Sequence, residues 1–68
     1  MDLNWDSPYA VALALRQAHP NVYLDEVTLS DVFDWTLALP GFDDEASLCN
    51  DEILQAIFRE WFEVTIDD

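Results

Sequence analysis

Residues 50–61 read NDEILQAIFREW, and this segment has the periodicity of an amphipathic helix. Its apolar positions recur three and four residues apart and so share one face: Ile53, Leu54, Ile57, Phe58 and Trp61. Asn50 is a good N-cap, and Asp51 and Glu52 follow it where the positive end of the helix dipole favours carboxylates. The sequence therefore predicts a helix that begins near Asn50 and buries an apolar stripe.

Two prolines mark an earlier helix. Ser7 is a good N-cap residue, and Pro8 follows at the first helical position, where the missing N–H of proline costs nothing. The helix should end at His19-Pro20, because proline disfavours helical geometry in the residue before it. The apolar positions that recur at helical spacing within it are Val11, Leu15 and Ala18, widened by Leu13 and Ala14.

A further helix is predicted between these two. Residues 23–29 alternate in polarity near Val27, which favours a short extended segment. Ser30 can then cap a helix that Pro40-Gly41 should end. The positions that this helix is expected to bury are Val32, Trp35, Leu37 and Leu39.

The length of 68 residues accommodates one domain, which we place at residues 1–68. A chain this short buries only about 60% of its unfolded surface. Three helices with short connections predict a mainly α fold with little or no β structure, of the helix-turn-helix or abbreviated winged-helix kind. Such folds often bind DNA, but a fold alone does not determine a function.

The charge of the chain has the wrong sign for DNA. Fifteen acidic residues stand against only Arg16 and Arg59, for a formal net charge of -13, and there is no lysine. Phosphate binding requires clustered lysine and arginine, so nucleic acid and anionic membranes are disfavoured as partners. With 51% apolar residues the chain should nevertheless fold rather than form a disordered acidic tail. Its partner should be positively charged.

The remaining features argue against export and catalysis. Cys49 is the only cysteine, so no internal disulfide can form. We expect no signal peptide, because the first residues lack a basic region and a long apolar stretch, and no membrane span, because no apolar run approaches about 20 residues. His19 and Cys49 are too few ligands for a structural zinc site. No pattern indicates a catalytic cleft. We therefore expect a cytoplasmic, soluble, monomeric protein that is not an enzyme.

Three consecutive carboxylates follow an aromatic residue in Phe42-Asp43-Asp44-Glu45, between the second and third helices. Hard cations prefer such oxygen ligands, so Asp43, Asp44 and Glu45 are candidate metal ligands. The spacing lacks the alternating ligands and central glycine of a calcium-binding EF-hand loop, so any metal should bind weakly and with little selectivity. The alternative is a solvated acidic loop with no ligand.

Further carboxylates extend this acidic character to the predicted helices. Asp31 and Asp34 lie three residues apart and so share a helix face. The candidate partner-binding residues are Asp31, Asp34, Asp43, Asp44, Glu45, Asp51 and Glu52. The alternative is a solvated surface that serves solubility alone. Phe33 and Phe62 fall off the apolar stripes and could form an exposed apolar patch that helps a partner dock.

A distinctive series of residues runs through most of the chain: Leu3, Trp5, Val11, Ala14-Leu15, His19-Pro20, Val27, Asp31, Trp35, Phe42-Asp43-Asp44, Asn50, Ile53-Leu54, Ala56-Ile57 and Trp61. In this series the chain resembles the IscX family, small acidic proteins of bacterial iron-sulfur cluster assembly. The resemblance implies a modified winged-helix domain that binds iron weakly. It also implies docking on the positively charged surface of the cysteine desulfurase IscS, in competition with frataxin.

The segment Phe42-Asp43-Asp44-Glu45, which we call the acidic loop, departs in part from this family's pattern. Asp43 and Asp44 match it, but Glu45-Ala46 stands where the family typically has Asp-Pro, and Glu52 stands where a basic residue is usual. These departures change the geometry of any metal site and make the surface more acidic. The resemblance implies either an iron donor or a desulfurase modulator. A hypothesis from another class is an acidic mimic of nucleic acid that occupies the basic groove of a DNA- or RNA-binding protein.

Overall fold

The computed structural model describes residues 3–66. Its elements are α1 (Pro8–Ala18), a 3-10 turn (Leu24–Glu26), α2 (Leu29–Leu37), a second 3-10 turn (Ala46–Leu48) and α3 (Asp51–Ile66). Residues 3–66 form no strand, and their only β feature is an isolated parallel bridge between Leu3 and Phe42. The mainly α prediction is confirmed, whereas the winged-helix arrangement stays a prediction. No helix within residues 3–66 has the length and apolar character needed to cross a bilayer.

The ends of α1 lie where the prolines predict them. Pro8 occupies the first turn and the helix ends at Ala18, one residue before the His19-Pro20 pair. Ser7 occupies the N-cap position, but its side chain makes no capping hydrogen bond; its hydroxyl donates to Asn4 Oδ1 at 3.3 Å.

The buried face of α1 is centred on Val11 and Leu15, as predicted, and also includes Ala12. This face packs on α3, the most extensive helix pairing in the molecule. The small side chain of Ala12 is fully buried. Ala18 was predicted to be buried but is exposed in the last turn of α1.

The predicted start of α2 is wrong. The helix begins at Leu29 with Thr28, not Ser30, as its N-cap, and Leu24–Glu26 forms a 3-10 turn rather than an extended segment. Asp31 N–H donates to Thr28 Oγ1 at 3.1 Å, and Thr28 N–H donates to Asp31 Oδ2 at 3.1 Å. This reciprocal capping box satisfies two amide groups that would lack partners at a helix start, an advantage that Ser30 does not offer.

The predicted end of α2 lies too far along the chain. The helix ends at Leu37, whose side chain is exposed, and Leu39 is buried from the following turn rather than from the helix. Val32 is fully buried as predicted, and Trp35 is half-buried. Thr36 is fully buried, which the sequence did not indicate. Gly41 then adopts φ 85°, a left-handed conformation that glycine reaches without strain.

Helix α3 follows the prediction at its start and extends five residues past Trp61 to Ile66. Asn50 caps it, because Ile53 N–H donates to Asn50 Oδ1 at 2.9 Å. Trp61 is almost fully buried, and Trp35 packs edge-on against it with ring centroids 6.2 Å apart. The buried apolar core comprises Leu3, Trp5, Val11, Ala12, Leu15, Val32, Leu39, Leu54, Ile57, Trp61 and Val64.

Helices α1 and α3 point in the same direction. In the last turn of α1, Arg16 Nη1 donates to the carbonyl oxygen of Val64 in the last turn of α3 at 2.8 Å. Just before α1, Trp5 contacts Asp44 and Glu45, which lie a few residues before α3. The start of both helices therefore lies at one end of the molecule, together with the acidic loop, and their C-terminal turns lie at the other end.

Candidate functional site

The acidic loop is fastened to the N-terminal segment by four hydrogen bonds. Leu3 N–H donates to the carbonyl oxygen of Gly41, and Asp43 N–H donates to that of Leu3, both at 2.8 Å. Trp5 N–H donates to Asp44 Oδ2 at 3.1 Å, and Trp5 Nε1–H donates to the carbonyl oxygen of Glu45 at 2.7 Å. The backbone is thus held at residues 41, 43 and 45, and Asp44 is held through its carboxylate.

Aromatic rings attach the same loop to α2. Trp5 is buried and stacks nearly parallel on Phe33, with ring centroids 6.1 Å apart, while Phe42 packs edge-on against it at 4.7 Å. Phe42 therefore anchors the loop against Trp5. The prediction of an exposed Phe33 is wrong, because the ring is half-buried against Trp5.

Asp44 differs from its two neighbours because its carboxylate is engaged inside the molecule. Oδ2 accepts the Trp5 N–H, and Oδ1 accepts the Glu45 N–H at 2.8 Å. Hydrogen bonds to a carboxylate are stronger than those between neutral groups. Asp44 is half-buried, whereas Asp43 and Glu45 are exposed. The loop therefore uses one carboxylate to fix its own shape and presents the other two to solvent.

The first turn of α3 adds two more exposed carboxylates. Asp51 and Glu52 line a shallow hollow with Asn50. The short 3-10 turn Ala46–Leu48, followed by Cys49 and Asn50, separates them along the chain from Glu45. We call Asp43, Glu45, Asp51 and Glu52 the acidic end. Neither arginine of the chain lies in this stretch.

Asp31 and Asp34, the acidic pair on α2, are not equivalent. Asp31 is half-buried, and its Oδ2 accepts the Thr28 N–H in the capping box. It also lines a hollow whose other lining residues are Asn21, Val22, Tyr23, Glu26, Val27 and Trp35, none of which belongs to the acidic loop. Asp34 lies one turn further along α2 and is exposed. Of the predicted partner-binding residues, the structure thus gives Asp31 and Asp44 structural hydrogen bonds and leaves the rest exposed.

Comparison with known proteins identifies the family. Residues 3–65 match the protein family described as Iron-sulphur cluster assembly. The chain belongs to this family. This is the IscX family, to which the sequence analysis found a resemblance. An uncharacterised protein of Pseudomonas aeruginosa, PA3808, is similar at 30% identity over 63 residues, which cover 93% of this chain and 96% of that protein.

A family of iron-sulphur cluster assembly raises the question of whether the loop suits iron. Within residues 3–66, no three His, Cys, Asp or Glu side chains are gathered closely enough to hold a metal ion. Both oxygens of Asp44 already accept N–H groups, while Asp43 and Glu45 are exposed to solvent on either side of it. The predicted ligands Asp43, Asp44 and Glu45 therefore do not form a preformed iron site, and iron binding stays a prediction.

Cys49 and His19, the single cysteine and the single histidine of the chain, each contact neighbouring parts of the fold. Cys49 is half-buried, and burial raises the pKa of its thiol, an effect that the charge of Asp51 increases and a hydrogen bond to the Asn50 backbone opposes. His19 follows α1 as its C-cap and stacks on Trp35 with ring centroids 4.3 Å apart.

Sequence reasoning missed the importance of Trp5. Trp5 is buried in the core and supports the acidic loop, and the sequence analysis did not connect it with that loop. The available signal was an aromatic residue outside every helical stripe, so that no helix explained its position. A Trp carries an N–H that usually finds a partner when the ring is buried, and here the Glu45 carbonyl accepts it.

Proposed function

We propose that this member of the iron-sulphur cluster assembly family is a binding adaptor that docks its acidic end on the cysteine desulfurase IscS and is not itself an enzyme. The observation that carries the proposal is the rigid presentation of exposed carboxylates: Trp5 and Asp44 fix the loop from within, so Asp43 and Glu45 face outward. An ordered acidic surface loses less conformational freedom on binding than a flexible one would.

Electrostatics determines what kind of binding to expect. Ion pairs on a surface contribute little each, about 0–1 kcal/mol, because solvent screens them. A complementary charge pattern instead speeds the encounter and fixes the orientation of the partners. At about 0.1 M salt the Debye length is about 10 Å, so most of this long-range attraction is lost above that concentration. The complex should therefore be of moderate affinity and depend steeply on salt.

A pair of variants tests the location of the docking surface. Asp43→Asn with Glu45→Gln removes two exposed charges and leaves the hydrogen bonds of Asp44 intact. Asp25→Asn with Glu26→Gln removes the same charge from the exposed 3-10 turn elsewhere. Affinity for purified IscS is measured by calorimetry at several salt concentrations, and circular dichroism confirms that both variants stay helical.

The first variant should bind IscS more weakly than the second, and the affinity of the unaltered chain should fall steeply as salt rises. Equal losses in the two variants would contradict a docking surface located at the acidic end. A salt-independent affinity would contradict the electrostatic account altogether. Recovery of a nucleic-acid-binding protein instead of a desulfurase from lysate would favour the acidic mimic.

Iron enters this proposal only as a loosely held cation. Asp43 and Glu45 are exposed and could turn towards an ion that the negative field attracts, although no preformed set of ligands awaits it. Anaerobic titration with Fe²⁺, followed by the broadening of amide NMR signals, should affect residues 43–45 first and should be reduced by the Asp43→Asn, Glu45→Gln variant. Uniform broadening at every acidic residue would show that iron is only a counterion.

A further inference from the structure

An apolar hollow lies at the opposite end of the molecule from the acidic end. It is formed where the chain after α1 passes the last two turns of α3, and it has a volume of about 310 Å³. We define the apolar groove by its apolar lining: Val22, Tyr23, Leu24, Phe62 and Ile66. This volume is at the lower limit of small-molecule pockets, so the groove suits a few side chains better than a whole ligand.

Three large apolar side chains around the groove are exposed to solvent. Tyr23 is 72% exposed, Phe62 is 50% exposed and Ile66 is 65% exposed. A single exposed apolar residue is ordinary, and Leu48 at 60% exposure is such a case. Three large apolar side chains around one hollow are typical of a surface that another molecule covers. The exposure of Phe62 agrees with the patch that the sequence predicted.

The charges around the groove indicate what covers it. Asp25 lies in its lining, and Glu26 and Glu63 are exposed beside Asp25 and Phe62 in the chain. Arg16, in an adjoining hollow, is held by the carbonyl oxygen of Val64. A second copy of the chain would carry the same acidic rim and the same net charge of -13. Repulsion between the two copies therefore opposes self-association through this groove.

We propose that the apolar groove binds a short amphipathic segment of a partner protein, whose apolar side chains enter the groove while flanking lysine or arginine residues face the acidic rim. This is the helix-in-groove type of recognition, in which a few apolar anchors supply affinity and charges around them supply orientation. The inference does not depend on the identity of the partner at the acidic end.

The position of the groove gives it a role separate from that of the acidic end. From Glu52 to Phe62 is ten residues along α3, or about 15 Å at about 1.5 Å per residue. A segment bound in the groove would therefore leave the carboxylates of the acidic end accessible. The chain could then hold two proteins, or two parts of one protein, at the same time.

The test uses two synthetic peptides of about 14 residues, or about four helical turns. The first carries Leu and Phe at helical spacing with Lys at the other positions, and the second replaces every Leu and Phe by Ser and keeps every Lys. Each is titrated into the isotopically labelled full chain at physiological salt while amide NMR signals are followed. The first peptide should produce saturable shifts at residues 22–25 and 62–66, and the second should not.

Variants locate the site. Tyr23→Ser, Phe62→Ser and Ile66→Ser together should weaken binding of the first peptide about tenfold or more, since removing anchors from an interface commonly costs at least that factor. All three side chains are half or more exposed, so the fold should persist, which circular dichroism verifies. Leu48→Ser removes an equally exposed apolar side chain elsewhere and should leave the affinity unchanged.

Three results would overturn the proposal. Equal binding of the two peptides, including no binding of either, would show that the groove contributes nothing. Shifts confined to residues 43–52 would show that the lysines bind only the acidic end. A dimer of the free chain in sedimentation experiments that Phe62→Ser converts to a monomer would show that the occupant is a second copy.

Discussion

Substitution of Asp44 by Asn should destabilise the protein far more than substitution of Asp43 by Asn. Each change removes one negative charge, so each relieves the repulsion within a chain of charge -13 to a similar extent. Only Asp44 accepts N–H groups with both oxygens, at 3.1 Å from Trp5 and 2.8 Å from Glu45. An Asn side chain has one acceptor oxygen and one NH₂ group, so it can satisfy only one of these two donors.

The expected magnitude follows from the lost hydrogen bond. Hydrogen bonds to charged groups contribute about 1.5–3 kcal/mol, and the half-buried position of Asp44 places the loss near the lower value. A domain of this size has a free energy of unfolding of about 3–10 kcal/mol. At about 4–8 °C per kcal/mol, a loss of about 1.5 kcal/mol lowers Tm by about 6–12 °C relative to Asp43→Asn.

Urea unfolding followed by tryptophan fluorescence measures this difference, because urea is uncharged and does not screen the repulsion that both variants change. The dependence of the unfolding free energy on urea should be the same in both variants, so that the midpoints report stability alone. A difference below about 0.5 kcal/mol, the range of ordinary surface substitutions, would refute the structural role assigned to Asp44.

Two further predictions concern the core and the thiol. Thr36→Val should raise the free energy of unfolding by about 1 kcal/mol, because Thr36 is fully buried and its Oγ1 has no hydrogen-bond partner within residues 3–66; chemical unfolding that shows a loss would contradict this. Cys49 should react with iodoacetamide at pH 7 more slowly in the native protein than in urea, because a raised pKa lowers the fraction of reactive thiolate. Equal rates in both states would contradict it.

The sequence predicts those helix ends that depend on local chemistry. Pro8 and Pro20 restrict the backbone wherever they occur, and Asn50 needs only the amide of Ile53, three residues away. The start of α2 could not be chosen in this way, because Thr28 and Ser30 are both good N-cap residues. The choice depends on the side chain of Asp31, which reaches back to the Thr28 amide.

The acidic loop also could not be predicted fully from the sequence, because its structure depends on a contact between residues far apart in the chain. Its carboxylates and its aromatic anchor are visible in the sequence, but the sequence treats Asp43 and Asp44 as equivalent. The difference arises from Trp5, which is 39 residues away from Asp44 in the chain and meets it only in the folded protein. No pattern of spacing encodes that contact. The structure was therefore needed to distinguish Asp44, which has a structural role, from the exposed carboxylates of Asp43 and Glu45.

The two ends of this small protein can be distinguished by the physics of the binding that each supports. Carboxylates at the acidic end act through a field that salt screens, so their contribution should fall as ionic strength rises. The apolar groove acts through burial of Phe62 and its neighbours, which salt does not weaken in this way. A partner that uses both ends should therefore lose encounter rate at high salt while its apolar contacts still resist dissociation, whereas a partner held by the acidic end alone should simply be released.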